Sequence, residues 1–178
     1  MDPIKILFDE HDIILDAIQT AKNLRKIIHK QETYAQQVFA LISFFRAYAD
    51  KYHHYKEEEV LFPEMAKANE MLESGVIQEM LENHEDFREL IREIEMLTKN
   101  LLLDEAQEKL EQYVEALTDH IAVENDEVFE IAKTLFSEKE MEKLYFRFKD
   151  LDAELGDKRK TELTQQLLLI KKSIEMLG

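Results

Sequence analysis

The residues of this chain best placed to do chemistry lie in His53-His54-Tyr55-Lys56-Glu57-Glu58-Glu59-Val60-Leu61-Phe62-Pro63. Two histidines stand one helical turn before a run of acids. Residues four apart share a helix face, so His53 with Glu57, or His54 with Glu58, can point at one centre. A second copy chooses between these pairs. His120-Ile121-Ala122-Val123-Glu124 repeats the histidine-to-glutamate step, and the pairs Leu61-Phe62 and Val128-Phe129 follow the two glutamates at the same offset. Aligned on those pairs, His53 corresponds to His120 and Glu57 to Glu124. Imidazoles and carboxylates so spaced are candidate metal ligands. The chain has no cysteine, so thiolate zinc sites, cysteine-ligated iron–sulfur clusters and disulfides are excluded, and a metal must take nitrogen and oxygen donors.

Two further histidines fall where an apolar residue would be expected. Ile4, Leu7, His11, Ile14 and Ile18 recur at helical spacing after Asp2-Pro3, an N-cap followed by proline at the first helical position, and predict a helix over about 3–30. A second helix, over about 33–68, carries Val38, Ile42, Phe45, Ala49, His53, Glu57 and Val60 on one seam, with Pro63 expected to kink it or begin its end. After the Gly75 connection, Ile77, Met80, His84, Phe87, Ile91 and Ile94 define a third helix over about 76–99. Asp104 and Gln107 resemble a capping box for a fourth, whose seam reads Leu110, Tyr113, Leu117, His120, Glu124, Val128, Ile131 and Leu135.

These elements must bring the histidines to one level. In an up-down-up-down bundle, ligands in one layer lie equally far from the turn joining their helices. The midpoints of His11–His53, His53–His84 and His84–His120 fall at residue 32, between 68 and 69, and at 102, each in or beside an expected connection. With a rise of about 1.5 Å per residue, the four histidines stand roughly 23 to 32 Å from their turns, level in pairs. His29 stands about 27 Å along the axis from His11 and is expected at the surface, outside the site. Each half of the chain supplies one seam histidine and then a histidine-to-glutamate pair. A pseudo-twofold arrangement would give two metals histidines from the bundle walls, with Glu57 and Glu124 bridging them. A lone seam histidine is ordinarily a satisfied core residue, and an HxxxE pair is often a surface ion pair. Four histidines at one level with two seam carboxylates differ, because a buried carboxylate is costly without a cation or donors.

Composition agrees with an all-α protein: three glycines and two prolines leave little turn chemistry for sheets. The net charge of −16 disfavours nucleic acid and anionic membranes and favours cations. No run approaches the roughly 18 apolar residues of a membrane span, and no leader-like segment opens the chain, so a cytoplasmic protein is the default expectation. No flavin or nicotinamide fingerprint is evident, and sustained redox turnover would need an external reductase.

The quoted motifs resemble the hemerythrin-like, or HHE cation-binding, domains over roughly residues 4–135. HHYKEEEVLFP at 53–63 is the most specific piece, supported by EHD at 10–12, His84 within MLENHEDF, and HIAVEN at 120–125. The resemblance implies a four-helix bundle enclosing a non-haem centre of two iron ions, with His11, His53, His84 and His120 as terminal ligands and Glu57 and Glu124 as bridges. Zinc or manganese would suit the same donor types. Oxygen-carrying members place HxxxH on the third helix, whereas Met80 and Arg88 flank His84 here, and His54 is the candidate for the missing imidazole. The carriers also place an aspartate five residues after the last histidine, whereas Glu124 follows His120 by four. The resemblance is therefore to the broader bacterial and archaeal group, and molecular oxygen, another diatomic or peroxide is the expected ligand. The expected role is binding or sensing that ligand. A di-iron redox enzyme acting on peroxide or nitric oxide, iron handling, and a metal-free helical interaction module are the alternatives. Glu58 is a candidate hydrogen-bond partner for a ligating histidine, Arg88 for an ion pair, and Tyr113 for the core.

Residues 137–178 extend beyond this 1–136 unit. Ser137 to Glu140 reads as a capping box, Gly156 as a break, and Leu163, Leu167, Ile170, Ile174 and Leu177 as an apolar stripe. Two more helices are expected, the last packing on the bundle of a monomer or pairing in a homodimer.

Overall fold

A computed structural model describes residues 2–178, with the backbone alone for Asp157. The protein is an all-α up-down-up-down four-helix bundle with two additional C-terminal helices. Helix α1 (Pro3–Asn23) begins where Asp2 Oδ1 accepts from the backbone N–H groups of Ile4 and Lys5, at 3.0 and 3.2 Å, with Pro3 at the first position. Rather than running on to residue 30, it tightens into a 3₁₀ turn at Leu24–Ile27. The second helical run, 31–68, comprises α2 (Gln31–Phe44), wider i→i+5 stretches at Phe45–His54 and Glu57–Leu61, and α3 (Phe62–Ala68). Pro63 sits in the first turn of α3, directly after the second wide stretch. It has no N–H to offer the carbonyl four residues back, and that Glu59 carbonyl instead accepts from Arg147 Nη2 at 3.1 Å.

The third bundle helix is α4 (Gln78–Lys99), preceded by turns at Glu70–Leu72 and Glu73–Ile77 that break at the non-helical Gly75. The fourth run, 103–135, comprises α5 (Leu103–Val123), a wide stretch at Glu124–Val128 and α6 (Phe129–Leu135). Its expected capping box is not formed. The helix starts at Leu103, which puts Asp104 inside the first turn, and Gln107 is drawn into the core to accept from Tyr34 Oη at 2.9 Å. The Ser137–Glu140 box is formed: Glu140 Oε2 accepts from the Ser137 N–H at 2.8 Å and opens α7 (Glu138–Leu155). Gly156, at φ 79°, separates α7 from α8 (Asp157–Leu177), a positive φ that disfavours a side chain.

The apolar interior is split in two. One cluster joins Ile14, Ile18, Val38, Ile42, Phe45, Phe87, Ile91, Tyr113 and Leu117; the other joins Leu7, Val60, Phe62, Met80, Val128 and Phe129. On every bundle helix the seam histidine lies between them, joined on the second and fourth runs by the seam glutamate, so the two clusters floor and roof one polar layer. The C-terminal helices cover both: Leu144 and Phe148 of α7 join the second cluster, and Leu163, Leu167, Ile170 and Ile174 of α8 join the first. The apolar stripe of α8 thus finds its partner in the same chain. Leu167→Ala should lower the unfolding free energy by about 2–5 kcal/mol. Leu169→Ala, at a side chain 66% exposed on the opposite face, should change it by less than about 0.5 kcal/mol. Denaturant titration of the two variants checks this contrast.

Candidate metal centre

The wide helical turns set the aim of the site. The Phe62 N–H bonds to the Glu57 carbonyl and the Phe129 N–H to the Glu124 carbonyl, each five residues back, so each seam glutamate opens a turn with one extra residue. The longer Phe45–His54 stretch has a related effect. Neighbours diverge by about 100° in an α-helix and by less in a wider one, and His53 and His54 both reach the interior.

All seven residues singled out in the sequence are buried, and they assemble as two groups: His11 and His53 with Glu57 and Glu124, and His54, His84 and His120. The carboxylates lie between the groups. Glu57 Oε1 is 3.4 Å from His53 Nε2, while Oε2 is 3.8 Å from His84 Nε2. Glu124 Oε2 is 3.2 Å from His11 Nε2, while Oε1 is 3.1 Å from His120 Nε2 and 4.0 Å from His84 Nε2. Among the described residues, all four carboxylate oxygens and the inward nitrogens of His11 and His53 find no hydrogen-bond partner. His54 belongs to the second group; its ring stacks on His84 with centroids 3.8 Å apart, and its Nδ1 is buried without a partner. His29 is exposed, and Tyr113 is core.

Outward contacts fix which nitrogens face in. Glu10 Oε2 accepts from His53 Nδ1 at 3.0 Å and Glu58 Oε1 accepts from His84 Nδ1 at 2.7 Å. A carboxylate can only accept, so both Nδ1 atoms carry the proton and both Nε2 lone pairs face the layer. Asn125 Oδ1 lies 2.7 Å from His11 Nδ1, and the Asn83 amide 3.5 Å from His120 Nδ1. These partners repeat with the pseudo-twofold: the residues before the lone histidines, Glu10 and Asn83, touch His53 and His120, and the residues after the glutamates, Glu58 and Asn125, touch His84 and His11. The aromatic pairs obey it too, with Phe62 against His84 and Phe129 against His11. His54 breaks the symmetry, since its counterpart is Ile121. Arg88 binds Glu58, Asp50 and Glu85, each at 2.7 Å, and Met80 is core, so neither position flanking His84 can supply the fifth imidazole.

Lys56, Asn83 and Asn125 carry no signal of a role in their seam spacing, whereas Glu10 does. Glu10 is spaced three after Leu7 and four before Ile14, which places it beside the seam, and that signal could have found it.

The electrostatics show what the layer lacks. Burial, followed by the nearby Glu124 carboxylate, pushes the Glu57 carboxyl well above the usual range. Burial also opposes charge on Glu124, but the His120 and His11 imidazoles hold it well below that range. Burial lowers His53 to about 4, His11 adding to the effect, and holds His54 well below its ordinary value, His84 adding there. The inward Nε2 lone pairs of His53 and His84, set beside the buried carboxyl groups of Glu57 and Glu124, form a donor set for a cation. The buried oxygens without donors and the two fixed Nε2 lone pairs fit metal ions.

A family model described as the hemerythrin HHE cation binding domain matches residues 2–132, and the chain belongs to this family of cation-binding domains. Comparison with curated proteins and with solved structures gave no match. No helix among the described residues is long and apolar enough to cross a membrane.

The folded chain without metal holds a proton on Glu57 that the unfolded chain releases near the ordinary carboxylate pKa. The contribution of this group to stability is therefore full below that value and is lost as pH rises through its raised folded value. Glu57→Gln should make the metal-free protein more stable at neutral pH and remove this part of its pH dependence, while weakening metal retention. Thermal melts of metal-free protein across pH, paired with metal analysis, test both halves.

Proposed function

We propose that the layer holds two iron ions and that the reduced centre binds or senses oxygen or a related small ligand. The observation that carries this reading is the division of each carboxylate: one oxygen of Glu57 and one of Glu124 face His11 and His53, and the other oxygens face His84 and His120. His11 and His53 would hold one ion and His54, His84 and His120 the other, with Glu57 and Glu124 shared. Iron so held would supply a redox-variable Lewis acid able to bind an outside ligand.

The chain's own residues support such a role. The first group offers two imidazoles and two carboxylate oxygens, and the second offers three imidazoles with two oxygens, so the two positions differ in how many donors the protein provides. Glu10 and Glu58 hold His53 and His84 with their Nε2 lone pairs inward, which raises the basicity of those rings. Phe129 against His11, and Phe87 edge-on to His120 at 5.1 Å between centroids, wall off water. A cavity of about 340 Å³ reaches His54 and His84; Phe45, Phe87, Ile91 and Tyr113 line it together with the charged Arg46, Asp50, Lys51, Arg88 and Arg92, and it would give a small ligand room beside the second group. Binding needs no electron donor, which agrees with a chain lacking cysteine.

Iron reconstitution should give two ions per chain. His53→Ala, His120→Ala, Glu57→Ala or Glu124→Ala should each lower that number, and His29→Ala should not. His54→Ala is expected to change the optical spectrum; two irons with an unaltered spectrum would remove His54 from the ligand set. The reduced protein mixed with oxygen should change its absorption within one turnover. Repeated turnover of peroxide with a simple electron donor would favour the enzyme reading, and no bound metal with an unchanged melting temperature would favour a metal-free interaction module.

A further inference from the structure

Two buttresses of the same order of charges stand behind the histidine layer. In one, Asp50 Oδ1 lies 2.7 Å from Arg88 Nη2, which donates to Glu58 Oε1 at 2.7 Å, which accepts from His84 Nδ1. In the other, Asp152 Oδ1 lies 3.0 Å from Lys56 Nζ, which donates to Glu10 Oε1 at 2.6 Å, and Glu10 Oε2 accepts from His53 Nδ1. Each runs from aspartate to cation to glutamate to histidine. They differ in origin. Asp50, Arg88 and Glu58 all lie inside the family segment of residues 2–132, whereas Asp152 belongs to α7, beyond it.

Lys56 is fully buried, with its ammonium 3.2 Å from the centroid of the Tyr52 ring. A buried ammonium is tolerated only where carboxylates compensate it, and Glu10 is already shared with His53. Asp152 is the second carboxylate. It is itself held in place, accepting from Tyr52 Oη at 2.5 Å and from Lys149 Nζ at 2.9 Å, while Lys160 of α8 donates to Tyr52 Oη at 3.0 Å. Removing it would leave Lys56 to recruit Glu10 alone or turn away, and either change releases the Glu10 oxygen that orients His53.

We infer that Asp152 is a positioning residue for the ion held by His11 and His53, acting through Lys56 and Glu10, so that the C-terminal helices complete one half of the metal centre. This rests on the ligand assignment proposed above. Partners behind a ligating histidine typically change metal retention about 10–100-fold when removed. In iron-loaded, full-length protein, Asp152→Asn should therefore release one of its two irons to excess chelator about tenfold faster than wild type, with the second unchanged. Asp152→Glu should restore much of the wild-type rate, and Asp50→Asn should hasten loss of the other iron instead. In a His53→Ala background, where the affected ion is already gone, Asp152→Asn should have no further effect on the remaining ion. Tyr52→Phe removes one donor to Asp152 and spares both buried charges. It should shift the same ion by a smaller factor, and it carries the test if Asp152→Asn does not fold. Wild-type release rates in whichever of these variants fold, or equal acceleration of both ions, would overturn the inference. Failure of wild type to hold two irons, or retention of both in His53→Ala, would overturn the ligand assignment itself.

Discussion

The structure depends on two carboxyl groups, Glu57 and Glu124, buried at the middle of a helical bundle, whose four oxygens find no hydrogen-bond partner among the described residues. Removing an ionised carboxylate from water costs several kcal/mol even after relaxation, and the usual compensation by lysine, arginine or backbone N–H is absent at this layer. The nearest groups are imidazole nitrogens, and two of them are turned so that lone pairs face the carboxylates. A protein interior so arranged is stable in its charged form only with cations. The apolar clusters on either side exclude water from the layer, which raises the cost of leaving it empty and strengthens the hold on an ion.

The same constraint explains the outward contacts. An imidazole serves as a ligand only in the correct tautomer and orientation, and burial alone would leave either nitrogen free to take the proton. Glu10 and Glu58 settle the matter for His53 and His84. Those carboxylates in turn need cations, supplied by Lys56 and Arg88, and those cations need Asp152 and Asp50. Charge alternates outward from the layer until it meets solvent. Local stability and site geometry are one problem here, because a group that compensates a buried charge also aims a ligand.

Much of this was legible in the sequence. A helical seam is a one-dimensional pattern, and a histidine or glutamate on it must be buried, so His11, His53, His84, His120, Glu57 and Glu124 could be assigned to one layer from spacing alone. Antiparallel geometry then brought them level. His54 was harder, because an ideal α-helix places it about 100° from His53. The wide turns that bring both inward depend on tertiary packing, and nothing in local propensity marks them. Gln107 misled for a related reason: its spacing from Asp104 suits a cap, but a buried Tyr34 hydroxyl competes for the amide. The contact of Asp152 with Lys56 joins residues far apart in sequence and follows no periodicity, so only the packed structure brings it out. The apolar stripe of α8 was plain, and the bundle face that receives it emerges only from the fold.

A crystal structure of the iron-loaded protein with anomalous scattering recorded at the iron edge tests the central claim most directly. The account predicts two anomalous peaks in the histidine layer, one against His11 and His53 and one against His54, His84 and His120, with Glu57 and Glu124 each contacting both. A single peak, peaks outside the layer, or two peaks with either glutamate contacting only one ion would contradict it.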